Sequence, residues 1–129
     1  MREEAAIHLA RADAFLNDSR ILLEAGSFSS SISRSYYAIF HAVKAILSEF
    51  GIERKSHQAV WSEFGQKVAK PGLMDKKYHS MGVKLFHRRL ESDYLPQPNE
   101  TVADAQQAIS FATEFVAACR AFLESRDKR

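Results

Sequence analysis

The chain has 129 residues, 46% of them hydrophobic and 26% charged, which is typical of one globular domain with a buried core. The formal net charge is +2, and no apolar run approaches the roughly 20 residues of a membrane span. The N-terminal segment MREEAAIHLARAD has no apolar signal region behind a basic start, so no secretion is expected. The lone cysteine, Cys119, excludes an intrachain disulfide, so we expect a cytoplasmic protein without a membrane segment, in which this cysteine is a small core residue.

Apolar spacing predicts two long helices in the first half of the chain. The first runs from about residue 3 to 25 and is ended by Gly26. Its buried stripe is predicted to consist of Leu9, Ala12, Leu16 and Leu23. Several serines between positions 27 and 31 can cap the second helix, which runs from about residue 30 to 50 and ends at Gly51.

Two further helices are predicted before a proline-containing link. Ser56 can cap a short third helix that ends at KPG, residues 70–72. Its aromatic core stripe consists of Val60, Trp61, Phe64 and Val68. A fourth helix is predicted from about residue 75 to 93. The segment YLPQPNE, residues 94–100, should be a turn or an extended link, because its two prolines disfavour helix.

The last helix begins with a predicted capping box formed by Thr101 and Asp104, and it continues to about residue 125. Its inward stripe consists of Ala105, Ile109, Ala112, Val116, Cys119 and Leu123. The short connections between these segments predict an all-α fold, an antiparallel bundle of four to five helices in which residues 1–129 form one domain.

The second helix carries two stripes of different character. The apolar stripe, which must be buried, consists of Ile32, Tyr36, Ile39, Val43, Ile46 and Phe50. The polar stripe consists of Ser30, Arg34, Tyr37, His41 and Lys44. Arg34 and His41 lie about two turns, or roughly 10 Å, apart along the helix axis. Such a stripe can line a groove or face a second copy of the chain.

Arg34 and His41 are the candidate catalytic residues. A histidine near its ordinary pKa can transfer protons, and an arginine can hold a phosphate through two parallel hydrogen bonds, so the pair could cleave RNA without a metal. The alternative is structural, because a buried guanidinium needs an anion and none lies within one turn of Arg34. Asp93 could supply that anion or could pair with Arg89 instead, and His41 could serve only as a hydrogen-bond partner.

Positive charge is concentrated in residues 53–89, which hold nine basic and three acidic residues. This region could attract a polyanion, or it could be a solvated helix face. The candidate binding residues of a groove or dimer cleft are Tyr37 and Lys44 of the polar stripe and Lys84, Arg88 and Arg89 of this basic region. The five histidines form neither HExxH nor a Glu-x-x-His pair, so we expect no metal and no other cofactor.

Three segments, SRSYYAIFHAVKAIL, GIERKSHQAVWSEFG and RRLESDY, resemble the HEPN family, named for nucleotide binding in higher eukaryotes and prokaryotes. The resemblance extends over nearly the whole chain. It implies a helical domain and, as in many members, a metal-independent endoribonuclease whose Arg-x4–6-His motif meets its copy across a homodimer. Arg34 and His41, with six residues between them, match this spacing.

The same resemblance implies a toxin whose antitoxin partner is a minimal nucleotidyltransferase. Two positions differ from patterns found in the family. Ser35 stands where many active members have Asn, Asp or His, and Val43 stands where some have a tyrosine that the partner modifies with AMP. Three interpretations therefore remain: a dimeric RNA-cleaving toxin, a non-catalytic module that binds nucleotide or RNA and docks a nucleotidyltransferase, and a helical scaffold.

Overall fold

A computed structural model describes residues 1–94 and 99–127, with the backbone alone for residues 91–94. The described residues form five helices: α1 (Glu3–Glu24), α2 (Phe28–Glu49), α3 (His57–Phe64), α4 (Lys76–Tyr94) and α5 (Val102–Asp127). No strand occurs among them, so the prediction of an all-α fold is confirmed. The central helix is α2, which contacts all four others, and α1 also packs against α5.

The predicted helix ends depend on local hydrogen bonds and on two glycines. Gly26 and Gly51 follow α1 and α2 with φ angles of 80° and 71°, a conformation that side chains with a Cβ rarely adopt. Ser56 Oγ accepts the Ala59 N–H at 3.1 Å and so caps α3. These observations confirm both predicted stops and the predicted cap of α3. The predicted serine cap of α2 was wrong, because Ser27 at its N-cap makes no side-chain capping hydrogen bond.

The start of α5 is fixed by the predicted capping box. The Asp104 carboxylate accepts the Thr101 N–H at 2.9 Å, and the Thr101 hydroxyl oxygen accepts the Asp104 N–H at 3.2 Å. Two otherwise unsatisfied donors are therefore paired reciprocally. Of the predicted link at residues 94–100, positions 95–98 lie outside the described residues, so its conformation stays a prediction.

The third helix is less regular than predicted. It is α-helical only to Phe64, and residues Gly65–Ala69 continue as a wide π-helical turn. At this junction the His79 ring of α4 lies beside Gly65 and makes a hydrogen bond, Nε2 to oxygen 3.1 Å, with the Trp61 carbonyl. A side chain that contacts a helix carbonyl in this way is a common reason for a change in helix pitch.

The apolar stripes predicted from the sequence form most of the core. On α2 the first five residues of the stripe are buried and Phe50 is partly buried. On α5 five of the six predicted residues are buried, and Ile109 is intermediate. Cys119 is fully buried, and burial raises the pKa of its thiol, which confirms its assignment to the core.

Three buried serines join α1 to α2 toward the ends at which the two helices are connected. Ser19 Oγ lies 2.7 Å from Ser35 Oγ, and the Ser31 hydroxyl donates to the Ser19 carbonyl at 2.8 Å. Small side chains allow the two helix backbones to approach closely, and the hydrogen bonds satisfy hydroxyl groups that would be costly to bury alone. This contact, the serine cluster, fixes α1 on α2.

Across the described helices, none combines the length and the apolar character needed to cross a membrane.

Candidate functional site

One side of α2 contributes to an aromatic cluster with a fully buried tyrosine. The Tyr36 cluster consists of Tyr36, His57 and Trp61. The Trp61 Nε1–H donates to the Tyr36 hydroxyl at 3.0 Å, and His57 Nδ1 lies 2.7 Å from the same oxygen. Because an indole N–H can only donate, every group is satisfied when the hydroxyl accepts from Trp61 and donates to His57 Nδ1. His57 is then held in its neutral form with Nδ1 as the acceptor.

Burial controls the ionisation of this cluster. It is the largest cause of the raised pKa of Tyr36, so the phenol keeps its proton. Burial is also the main reason that the pKa of His57 is lowered, with Arg89 and Lys44 adding positive charge nearby. The His57 ring stacks on Phe40 with ring centres 4.0 Å apart. The Tyr36 cluster is therefore a neutral, fully packed unit.

The polar side of α2 meets α1 in a second cluster of different composition. The His41 cluster consists of His8, Phe15, Arg34 and His41. Nδ1 of His41 lies 3.1 Å from Nδ1 of His8, and the two rings meet edge to edge, with centres 5.3 Å apart and 23° between their planes. The His41 ring stacks on Phe15 at 5.4 Å, and the Arg34 Cζ lies 5.8 Å from the centre of the Phe15 ring. One phenyl ring thus contacts both candidate catalytic residues.

Arg34 itself is exposed, and this corrects one premise of the sequence analysis. A guanidinium in contact with water does not require an internal anion, so the argument for an obligatory partner inside the protein was wrong. The side chain of Asp93, the partner considered above for Arg34 or Arg89, lies outside the described residues. The recorded contact of Arg34 is with the face of Phe15, which leaves the guanidinium N–H groups able to bind a phosphate.

The pKa of His41 also differs from the expectation of an ordinary value. Burial lowers it from 6.5 to about 4, and His8, Arg11 and Lys44 add repulsive positive charge in that order. The ring is 9% exposed, so its charged form loses most of its hydration. At neutral pH His41 is therefore an uncharged imidazole, which can accept a proton but is rarely available as an imidazolium donor.

The remaining predicted binding residues occupy different surroundings. Arg89 donates to the Tyr37 hydroxyl at 2.8 Å, and its guanidinium carbon lies 4.9 Å from the Tyr37 ring centre. Arg88 is turned toward α5, where it pairs with Glu100 and, at 3.2 Å, with Asp104. Lys84 is exposed on α4. The positive charge of α4 is thus partly neutralised within the chain.

A cavity of about 340 Å³ adjoins the His41 cluster near the C-terminal end of α2. Its lining includes His8, Lys44 and Arg54, together with the carboxylates of Glu4 and Glu53. Lys44 Nζ also lies 5.3 Å from the centre of the Phe40 ring. The candidate residues Arg34, Tyr37, His41 and Lys44 therefore form one face of α2, bordered by α1 and by this cavity.

The contribution of α1 to this site was not predicted from the sequence. His8, Arg11 and Phe15 recur at spacings of three and four, so they form a polar and aromatic stripe beside the apolar stripe of this helix. That spacing was the available signal. Among the described side chains, those of residues 1–90 and 99–127, His, Cys, Asp and Glu do not form any group of three or more suited to a metal ion.

A helical bundle whose central helix carries an arginine and a histidine on a cationic, aromatic surface defines the class of this protein. The family model of the HEPN domain matches residues 5–122, and the chain belongs to that family. A UPF0332 protein of Gloeobacter violaceus is 32% identical over 114 residues, which are 88% of this chain and 90% of the relative. A protein of Methanocaldococcus jannaschii with the name "Putative toxin" is 30% identical over 116 residues, 90% of this chain and 86% of the relative.

Proposed function

We propose that this protein is a metal-independent endoribonuclease that acts as the toxin of a toxin–antitoxin pair, with Arg34 and His41 as its catalytic residues. The observation that carries the proposal is the convergence of both side chains on the Phe15 ring. The Arg34 guanidinium is an exposed cation that can bind a phosphate. Beside it, the neutral His41 imidazole can accept a proton. The name of the Methanocaldococcus relative supports the assignment to a toxin.

The chemistry follows from the two side chains. His41 takes the proton of the ribose 2′-hydroxyl, and the 2′-oxygen then attacks the adjacent phosphorus. Arg34 stabilises the charge that builds up on the phosphorane oxygens. The bond from phosphorus to the 5′-oxygen breaks, a second acid protonates that oxygen, and the products are a 2′,3′-cyclic phosphate and a 5′-hydroxyl. Every step is a proton transfer or a displacement at phosphorus, so none depends on a metal.

A homodimer would supply the second acid. In a two-fold dimer that pairs the polar faces of α2, His41 of the partner subunit would lie on the other side of the same phosphate. Arg34, exposed on this face and paired with no carboxylate among the described side chains, gives each copy a cation for the shared substrate. We expect light scattering to report twice the mass of the 14.6 kDa chain, and a monomer at working concentration would remove this arrangement.

The decisive experiment compares variants of purified protein on single-stranded RNA with a metal chelator present. We expect His41→Ala to reduce cleavage by roughly 100-fold to 10,000-fold, the range in which general acid–base groups act. Arg34→Lys should also lose most activity, because lysine keeps the charge without the planar fork. The matched control is His87→Ala, which removes an exposed histidine of α4. Equal cleavage by wild type and a folded His41→Ala protein would refute the proposal.

The antitoxin is proposed to be a minimal nucleotidyltransferase. Co-expression of the two proteins should relieve growth inhibition, and they should co-purify. Two experiments distinguish covalent modification from binding alone. The first measures the intact mass of this chain to detect AMP added to a hydroxyl group. The second co-expresses the chain with a catalytically inactive nucleotidyltransferase. Relief of toxicity by the inactive partner, without a mass change, would indicate binding alone.

A second candidate function is a non-catalytic module that binds nucleotide or RNA and docks the nucleotidyltransferase. The observation that favours it is the low exposure of His41, 9%, together with its hydrogen bond to His8. RNA binding by the wild type without chelator-resistant cleavage would select this function.

A further inference from the structure

The contact between His8 and His41 restricts which ring nitrogens can carry a proton. A neutral imidazole carries one N–H, and a hydrogen bond between two ring nitrogens needs one nitrogen that donates and one that accepts. The atoms that face each other here are both Nδ1, at 3.1 Å. The two rings must therefore be in opposite tautomers, with the N–H of one ring between them and the N–H of the other on its far nitrogen, Nε2.

We infer that His8 is the proton-relay partner of His41 and that the two rings act as one neutral acid–base unit; this inference rests on the ribonuclease function proposed above. When Nε2 of His41 takes up a proton, the shared proton moves from Nδ1 of His41 to Nδ1 of His8, and His8 releases its own Nε2 proton. The far nitrogen of His41 thereby changes from a base into an acid while both rings stay neutral. Family resemblance places the reactive pair on α2 alone, whereas this geometry adds a residue of α1.

The positions of the two rings suit a relay from a buried group to an open one. His41 is 9% exposed, and its Nδ1 is occupied by His8. His8 is half-buried and lines the cavity of about 340 Å³. A proton that leaves or reaches His41 through Nδ1 therefore passes through His8, which adjoins a space large enough for water molecules.

The proton count closes for both halves of the reaction. As a base, His41 accepts the 2′-hydroxyl proton on Nε2, passes its Nδ1 proton to Nδ1 of His8, and His8 releases its Nε2 proton to water in the cavity. As an acid, His41 donates its Nε2 proton to the 5′-oxygen, receives a proton on Nδ1 from His8, and His8 takes one from water on Nε2. The pair begins and ends each half uncharged.

The surroundings favour such a neutral relay over a free imidazolium. Arg11 of α1, Lys44 of α2 and the neutral His57 of α3 face His41. Glu53, in the segment after α2, adds negative charge near His8, and Glu4 of α1 lines the same cavity. Burial and the cations Arg11 and Lys44 lower the pKa of both histidines, that of His41 to about 4. A unit that moves protons without holding an extra one avoids this penalty.

The first test does not depend on activity. Two-bond 1H–15N spectra of ring-labelled protein at pH 7 identify the tautomer of each histidine. We expect His8 and His41 to have opposite tautomers, or averaged Nδ1 signals in both rings if the proton exchanges rapidly. Protonation of both rings on Nε2, with no proton between the Nδ1 atoms, would overturn the inference. The exposed His87 gives the reference spectrum of an unpaired ring.

The second test distinguishes a His8 that transfers protons from a His8 that only positions the His41 ring. The His8→Asn amide can replace Nδ1 in a hydrogen bond but cannot pass a proton onward, whereas His8→Ala removes both functions. We expect both variants to fold and to bind RNA like the wild type, to lose roughly 10-fold to 100-fold in kcat/KM, and to shift the optimum toward acidic pH. That shift follows because the acid step would then need the imidazolium of His41. Full activity with an unchanged pH profile in His8→Asn would overturn the relay.

Failure of the two proposals can be distinguished. Wild-type protein that does not cleave RNA refutes the ribonuclease function, while the tautomer measurement still decides whether the rings form one unit. Cleavage that requires His41 but is unaffected in both His8 variants refutes the relay and leaves the ribonuclease function standing.

Discussion

The Tyr36 cluster and the His41 cluster both pack a histidine against aromatic rings along the same helix, but their hydrogen bonds differ. In the Tyr36 cluster the indole N–H donates to the Tyr36 hydroxyl, and the phenol proton finds its acceptor in His57 Nδ1, so one arrangement satisfies all three groups. In the His41 cluster the partner is a second histidine, and the shared proton can lie on either ring. The Tyr36 cluster therefore has one hydrogen-bonded arrangement. The two histidines of the His41 cluster can exchange donor and acceptor roles, as a proton transfer requires.

The largest expected effect tests whether the Tyr36 cluster is the structural one. Tyr36→Ala should lower the free energy of unfolding by about 3–5 kcal/mol, because it leaves a large cavity among fully buried residues. Urea denaturation measures this change. His41→Ala should cost clearly less, since the site borders the surface and alanine suits a helix interior. Equal losses in the two variants would erase the distinction between the clusters.

A smaller loss is expected from the close approach of α4 to the same cluster. A Cβ placed on Gly82 would lie 2.3 Å from the Trp61 ring, so Gly82→Ala should cost about 1–3 kcal/mol through overpacking. The matched control is Ser80→Ala at an exposed position on the same helix, where little change is expected. Thermal melts compare the two variants, and an unchanged melting temperature for Gly82→Ala would mean that Trp61 moves freely.

The pH dependence of stability tests the His41 cluster. Since His41 has a pKa of about 4 in the folded protein and an ordinary value of 6.5 when unfolded, the unfolded chain binds more protons below pH 6.5. The free energy of unfolding should therefore fall as the pH decreases from 6.5 to about 4, by about 3 kcal/mol. His41→Ala should reduce this slope. A slope that the variant leaves unchanged would assign the titration to other groups.

The smallest effect concerns the surface charges. Replacement of Arg34 by alanine should reduce the slope of log affinity for single-stranded RNA against log salt by about 0.7, the value for one lost phosphate contact. Arg88→Ala should leave that slope almost unchanged, because Glu100 and Asp104 already neutralise this arginine. Fluorescence anisotropy at several salt concentrations measures both. The reverse result would move the RNA surface from α2 to α4.

The fold could be predicted from local signals, because four of the five helices carry their own stop or cap. Gly26, Gly51, Ser56 and the box of Thr101 and Asp104 all act through neighbours within a few residues, so sequence alone identifies them. The π-helical turn could not be predicted. It depends on His79 of α4, which meets the Trp61 carbonyl only in the folded chain.

The sequence predicted the residues that α2 contributes to the candidate site, but not those that α1 contributes. The spacing of Arg34 and His41 was evident from one helix, but the contribution of His8 and Phe15 depends on how α1 lies against α2. The expectation that Arg34 is buried was wrong, because even a central helix has one side exposed to solvent. The lowered pKa of His41 likewise arises from neighbours that are distant in sequence.

The serine cluster has a consequence for the placement of α1. Leucine contacts tolerate a small slide of one helix along another, but the hydrogen bonds of Ser19 with Ser31 and Ser35 do not. A slip of one residue, about 1.5 Å, would break them and would also change the distance between the Nδ1 atoms of His8 and His41, which lie farther along the same two helices. The three serines thus hold α1 in the register that keeps these two imidazoles within hydrogen-bond distance, although none of the serines contacts either ring.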